Sequence, residues 1–318
     1  MSYLLLLLGF LALVKGADLL VVGASSIARR LNVSDFAIGL TVVAFGTSTP
    51  ELFVTLIAAL GGNPGIAIGN VIGSNIANTL LILGVAAVIR PIAVSGGTVR
   101  REMPFGLLAS CALLFVAGDA LLEGAPRGGV GRADGLLLLS FFAIFLYYSV
   151  STAQRVAGME ELVPQERGTA AALALVVAGL AGLALGGKWI VDGAVAIART
   201  FGMSETLVGL TVVAIGTSLP ELATSAVAAR RGNADIALGN VLGSNIFNIY
   251  FVLGVTASVR PLPFLAENTM DLAAMIGANL LLFAALFIGR RMAIGRTEGG
   301  LLLAAYLGYL AAAIARVP

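Results

Sequence analysis

Two short stretches, Gly46-Thr47-Ser48-Thr49-Pro50-Glu51 and Gly216-Thr217-Ser218-Leu219-Pro220-Glu221, each set a carboxylate beside hydroxyls and a proline within apolar surroundings. Proline donates no backbone hydrogen bond and clashes with the carbonyl four residues back, here Gly46 or Gly216. The carbonyls of Ala44 to Thr47, and those from Ala214 to Thr217, are therefore expected to be partly released from the helical ladder. Inside a bilayer, unpaired backbone is tolerated only where it lines a cavity or meets an ion. Hydroxyls, freed carbonyls and a carboxylate are hard oxygen ligands, suited to Na⁺, Ca²⁺ or Mg²⁺ and not to soft metals. An ionisable group at mid-membrane costs at least about 2.5–3.5 kcal/mol, so Glu51 and Glu221 mark a function.

A second motif follows each glutamate. Gly69-Asn70-Val71-Ile72-Gly73-Ser74-Asn75-Ile76-Ala77-Asn78 puts Ser74 and Asn78 four residues apart on one helix face, and Ser244 and Asn248 repeat the spacing. Gly69 and Gly73, like Gly239 and Gly243, form small-xxx-small patterns that permit close helix approach. Asn70, Asn75, Asn240 and Asn245 are expected to make supporting or capping hydrogen bonds, not to ligate.

The elements that must position these groups are membrane helices. Of 318 residues, 59% are apolar and 11% charged, where a soluble domain carries roughly 25% charge. Ten α-helical spans of about 20 residues or more are legible, near 2–28, 36–60, 65–89, 103–122, 135–155, 169–198, 205–229, 234–258, 268–289 and 299–315. No positive region precedes the first, which is read as a retained helix and not a leader. Residues 39–84 align without a gap to 209–254, with 28 of 46 positions identical. Five spans separate the copies, an odd number, so they enter the membrane from opposite sides. The expected fold is an all-α polytopic membrane protein of ten transmembrane helices in two inverted five-helix repeats, 1–157 and 158–318.

Lys/Arg counting agrees. Alternate loops collect twelve arginines on one side and five on the other, so the richer side is expected to be cytoplasmic, in a plasma membrane, with both termini extracellular. A net charge of +2 gives no argument for nucleic acid. No histidine and a single cysteine, Cys111, exclude a disulfide framework, a cysteine-rich zinc site and most acid–base chemistry, so no enzyme and no cofactor is expected. Cys111 itself reads as packing.

The duplicated, inverted pair GTS(T/L)PEL and GNVxGSNI(A/F)N resembles the α-repeats of the cation/calcium exchanger superfamily, and within it the prokaryotic Na⁺/Ca²⁺ exchangers. The resemblance covers essentially the whole chain, and no large cytosolic regulatory domain is present. It implies a Ca²⁺ site of Glu51 and Glu221 with the carbonyls of Thr47 and Thr217. An inner Na⁺ site would use Glu51, Ser74, Ser218 and the carbonyl of Ala44; an outer one Glu221, Ser244, Ser48 and the carbonyl of Ala214. Asn78 and Asn248 would flank the middle. Asn248 departs from the Asp usual there, and since an amide cannot neutralise a cation, this argues against K⁺ co-transport. The long first and sixth spans resemble the paired sliding helices of the family.

The expected function is thus an electrogenic, K⁺-independent Na⁺/Ca²⁺ antiporter, acting as a monomer in the lipid bilayer with Ca²⁺ and Na⁺ as substrates. A H⁺/Ca²⁺ (or other divalent cation) exchanger of the same superfamily is the alternative; the hydroxyls beside each glutamate favour Na⁺, and Mg²⁺ gives up its water reluctantly. A channel is disfavoured by the inverted repeats. Lys15 with Asp18, and Lys188 with Asp192, read as pairs within their own helices.

Overall fold

The computed structural model describes residues 2–118, 128–153, 168–200, 214–264, 266–287 and 292–316. Its elements, in chain order, are mostly helical. The first half holds α1 (Ser2–Arg30), α2 (Asp35–Thr47), α3 (Thr49–Leu60), α4 (Pro64–Ile89), β1 (Ile92–Ala93), α5 (Gly96–Arg100), α6 (Glu102–Ala117), β2 (Gly128–Val130) and α7 (Arg132–Ser151). The second holds α8 (Thr169–Thr200), α9 (Ala214–Thr217), α10 (Leu219–Arg230), α11 (Ala234–Val259), β3 (Leu262–Phe264), α12 (Ala266–Ala285), β4 (Ala293–Ile294) and α13 (Arg296–Ala315).

Among the described residues, seven helices are long and apolar enough to cross a membrane, and eight if α2 and α3, bent by 41°, count as one span. Of the other expected spans, 103–122 is matched by α6 (Glu102–Ala117), with 119–122 outside the described residues, and the span 205–229 runs into residues 201–213, also outside them. The boundary expected between the halves, at 157/158, also lies outside them.

The centre belongs to the second motif of each repeat. The apolar stretch of α11 is 94% buried and that of α4 72%, against 17% for α13, which faces outward with Leu301, Leu307 and Ile314 exposed. Helices α3 and α4 form a hairpin whose turn needs a left-handed residue, supplied by Gly62 at φ +84°; Gly232, also at +84°, does the same between α10 and α11. Close approach accounts for Gly239 and Gly243: a Cβ on either would meet the carbonyl of Phe36 at 2.5 Å or of Leu40 at 2.3 Å, so α11 crosses α2 backbone against backbone.

The halves are interleaved. Helix α7 packs on α11, with Gly135 against Gly254 and Ser258, while α13 packs on α4, with Gly299 against Gly84. Each half thus lends its last helix to the other. Both lent helices start with the same device: the Asp134 carboxylate accepts from the Gly131 N–H at 2.8 Å, and Glu298 from Gly295 at 3.0 Å. Two antiparallel ribbons, β1 with β4 and β2 with β3, add further ties between the halves.

Side-chain contacts assign the arginines to ends. Arg30 donates to Thr169, Arg90 lies beside Gly232, and Arg296 donates to the Val88 carbonyl, all at the end where Asn233 bonds Ser25 and Asp35. Arg260 reaches the Leu60 carbonyl at the opposite end. Helices α1 and α8 run antiparallel, meeting at Gly9, Gly16 and Gly23 on one and Gly179, Gly182 and Gly186 on the other.

One expected pair is corrected. Asp18 is bonded not by Lys15 but by Arg231, through Nε at 2.7 Å and through Nη2, whereas Lys188 pairs with Asp192 at 2.7 Å as expected. Three residues along α1 separate Lys15 from Asp18, but the guanidinium at the α10–α11 tip offers two donors to one carboxylate oxygen. Lys15 has no partner among the described residues. The partly exposed pair is worth at most about 1 kcal/mol. Asp18→Arg, which sets two cations together, is expected to lower the unfolding temperature, and adding Arg231→Asp to restore most of the loss. Equal unfolding temperatures for the single and double variants would contradict the pairing.

Candidate functional site

Pro50 and Pro220 stand within the first turn of α3 and α10, and each helix before them ends at a serine in the same conformation: Ser48 at φ −87°, ψ 4° and Ser218 at φ −88°, ψ 4°. Glu51 and Glu221 therefore fall in the first turn of a helix, where exposed N–H groups favour a negative charge. The release of carbonyls is narrower than expected. Ala44 still accepts from the Ser48 N–H at 3.0 Å and from the Thr47 hydroxyl at 3.4 Å, so the loss centres on Gly46, whose usual donor is Pro50. A carbonyl oxygen has two lone pairs, so Ala44 can still face a cation. In the second copy, the Ser218 N–H turns to Ile215 at 3.2 Å; Ala214 opens α9, and its side chain lies outside the description.

Both glutamates are buried, Glu51 at 1% exposure and Glu221 at 0%. Neither faces lipid. Ser48, from the first half, donates to Glu221 Oε1 at 2.8 Å, and Ser244 lies 3.5 Å from the same oxygen. Ser218, from the second half, donates to Ser74 at 3.2 Å. A hydroxyl of each repeat thus serves an oxygen of the other.

Several buried atoms have no partner among the described residues: both oxygens of Glu51, Oε2 of Glu221, and both amide atoms of Asn78 and of Asn248. A buried polar atom left unpaired costs about 1–3 kcal/mol, and more when charged. Seven such atoms on four residues of the two repeated motifs make sense if something polar and mobile binds there. Among the described residues, no group of three or more His, Cys, Asp or Glu could hold a metal ion. The donors are instead two carboxylates with hydroxyls, amides and carbonyls, a set suited to hard cations that come and go.

Asn78 and Asn248 lie in π-helical turns, Ala77–Ile82 and Phe247–Leu253, which interrupt the otherwise α-helical α4 and α11. Such turns gather at functional sites. The other asparagines are hydrogen-bonded, as the sequence suggests. Asn75 donates to the Val71 carbonyl at 2.7 Å and Asn245 to Thr79 at 2.8 Å, while Asn70 and Asn240 bridge the halves. Sequence reasoning missed Thr55, Ser225 and Thr79 as their partners. Thr55 and Ser225 are hydroxyl-bearing in both copies one helical turn after the glutamate, a signal that was available; Thr79 has Ile249 as its counterpart and left none.

The family profile described as "Sodium/calcium exchanger protein" matches residues 1–151 and 171–315. The chain is 35% identical to sodium/calcium exchanger MaX1 of Methanosarcina acetivorans over 97% of each chain. It is 39% identical to inner membrane protein YrbG of Escherichia coli, over 96% of this chain and 95% of that one. Among solved structures, it resembles the sodium-calcium exchanger NCX_Mj with a TM-score of 0.83 and 37% identity, over 100% of this chain and 98% of that one.

Proposed function

The chain belongs to the sodium/calcium exchanger protein family, membrane-embedded transporters and not enzymes, and from that premise we propose that it exchanges Na⁺ for Ca²⁺ by alternating access. The observation that carries this reading is the burial of Glu51 and Glu221, one from each repeat, with unpaired carboxylate oxygens and with Ser48 of the first repeat bonded to Glu221 of the second.

Ca²⁺ is held between the two carboxylates and the carbonyls of Thr47 and Thr217. The ion exactly offsets two ionised glutamates, which limits the desolvation cost that an unpaired buried charge would carry. Na⁺ ions compete for the same oxygens, one near Glu51, Ser74, Ser218 and Ala44, another near Glu221, Ser244, Ser48 and Ala214. Three Na⁺ on two carboxylates leave one positive charge, so exchange moves charge across the membrane. Asn78 and Asn248 line the middle without adding charge, consistent with independence from K⁺. Ten helices in two inverted repeats surround the site, and α1 and α8, touching along glycines that present little side chain, slide against it. The arginine-rich end faces the cytoplasm and the protein resides in the plasma membrane as a monomer.

The test is Ca²⁺ uptake by proteoliposomes under an imposed Na⁺ gradient, with pH and K⁺ controls. Uptake is expected to follow the Na⁺ gradient, to respond to membrane potential and to ignore K⁺. Uptake that ignores Na⁺ and follows a pH gradient would replace this reading by H⁺/Ca²⁺ exchange.

A further inference from the structure

The four asparagines nearest the site fall into two chemical classes. Asn78 and Asn248 have every side-chain atom unpaired among the described residues. Asn70 and Asn240, equally buried, are occupied at both ends. The Asn70 amide nitrogen donates to Thr55 at 3.0 Å and lies 3.5 Å from the Glu51 carbonyl, and its oxygen accepts from Thr217 of the other half at 3.2 Å. Asn240 mirrors each contact: Ser225 at 3.0 Å, the Glu221 carbonyl at 3.4 Å, and the Thr47 hydroxyl at 3.1 Å.

We infer that Asn70 and Asn240 are positioning residues that lock each threonine of the cation cage to the glutamate of the opposite half. The inference rests on the exchange reading above and deepens it. Thr47 and Thr217 are the last residues before the break, where proline has taken a donor from the backbone ladder, so an ordinary helix would not hold their carbonyls in place. Their hydroxyls supply the missing anchor. Each asparagine reaches backward to the carbonyl of its own glutamate and forward to the threonine opposite, so one side chain sets the distance between two ligands from different halves. Direct ligation is disfavoured for this pair, because each amide oxygen already receives a hydroxyl hydrogen. The contrast with Asn78 and Asn248 follows the chemistry: saturated amides hold the frame, and open amides face its contents.

The experiment is Ca²⁺ binding to the purified full-length protein in detergent, a measurement independent of the coupling ion, alongside the maximal Na⁺-driven transport rate. Asn70→Ala and the isosteric Thr217→Val are each expected to weaken Ca²⁺ binding roughly tenfold, the scale of one buried hydrogen bond, with a smaller effect on maximal rate. The double variant should bind no more weakly than Asn70→Ala, which already removes the link that Thr217→Val breaks. Thr217→Ser, which returns the hydroxyl, should recover most of the affinity lost in Thr217→Val. Unchanged affinity in Thr217→Val, independent effects in the double variant, or a Ser variant as weak as the Val one would each overturn the inference while leaving the exchange reading intact. A wild-type protein that binds no Ca²⁺ would overturn both.

Discussion

Glu51→Gln and Glu221→Gln are each expected to cut Ca²⁺ transport at least a hundredfold while the protein still inserts and folds. The substitution keeps shape and removes one negative charge. With two glutamates the site neutralises a divalent ion; with one it leaves a buried positive charge uncompensated, and removing one partner from a buried charge pair costs about 3–5 kcal/mol. That is a factor of roughly 150 to several thousand in binding. The folded state should tolerate the change, because the amide has nearly the same shape as the carboxyl group and carries no charge to desolvate. The two variants are not expected to be identical. Glu221 accepts from Ser48, so its amide keeps one acceptor for that hydroxyl, whereas both Glu51 oxygens are unpaired. Uptake of Ca²⁺ by proteoliposomes, at matched incorporation, checks the prediction. Near-normal uptake in either variant would refute the assignment of that glutamate.

The second large effect concerns packing. Gly243→Ala adds one methyl group at a point where its Cβ would lie 2.3 Å from the Leu40 carbonyl oxygen and 2.7 Å from the Ala44 Cβ. Neither neighbour is a flexible side-chain end, so α11 and α2 must move apart. Overpacking a tight interior costs typically about 1–3 kcal/mol. Here the displaced elements carry Ser244, Ala44 and Thr47, so both thermal stability and transport should fall. The control is Gly308→Ala on the exposed face of α13, where a Cβ meets nothing within 4 Å. There the added methyl should leave stability unchanged or raise it by about 0.4–1 kcal/mol through the unfolded state. Unfolding temperatures in detergent decide the matter: if the two alanines behave alike, the crossing of α11 over α2 does not need its glycine.

The asparagine clamps and the Asp18–Arg231 pair show where reading along the chain stops being informative. Asn70 and Asn240 were visible as repeated polar residues, and their supporting role followed from chemistry. That the threonine hydroxyls donating to their amide oxygens would come from the opposite half required coordinates, since Thr217 is 147 residues from Asn70. Asp18 had a plausible neighbour three residues away and took Arg231 instead, 213 residues distant, because a folded tip brought two donors to it. The lent fifth helices are an intermediate case. Gly131-Arg132-Ala133-Asp134-Gly135 and Gly295-Arg296-Thr297-Glu298-Gly299 are legible as a repeat, but at a spacing of 164 residues, not the 170 of the core copies, and so fall out of a single gap-free alignment.

Composition and duplication alone determined that the protein is helical and membrane-bound and carries two copies of one motif, and they led to the expectation that the copies are inverted and that two glutamates mark the site. These are consequences of local apolarity, parity of spans and the energy of a charge in hydrocarbon, all of which act on short windows or whole-chain sums. Only the tertiary structure decided which amides are spent on the frame and which remain open, how far the carbonyls are freed, and which half holds which helix. Those outcomes depend on where distant segments meet, and close packing lets a single backbone oxygen or guanidinium at the meeting point select among partners that the sequence leaves equally available.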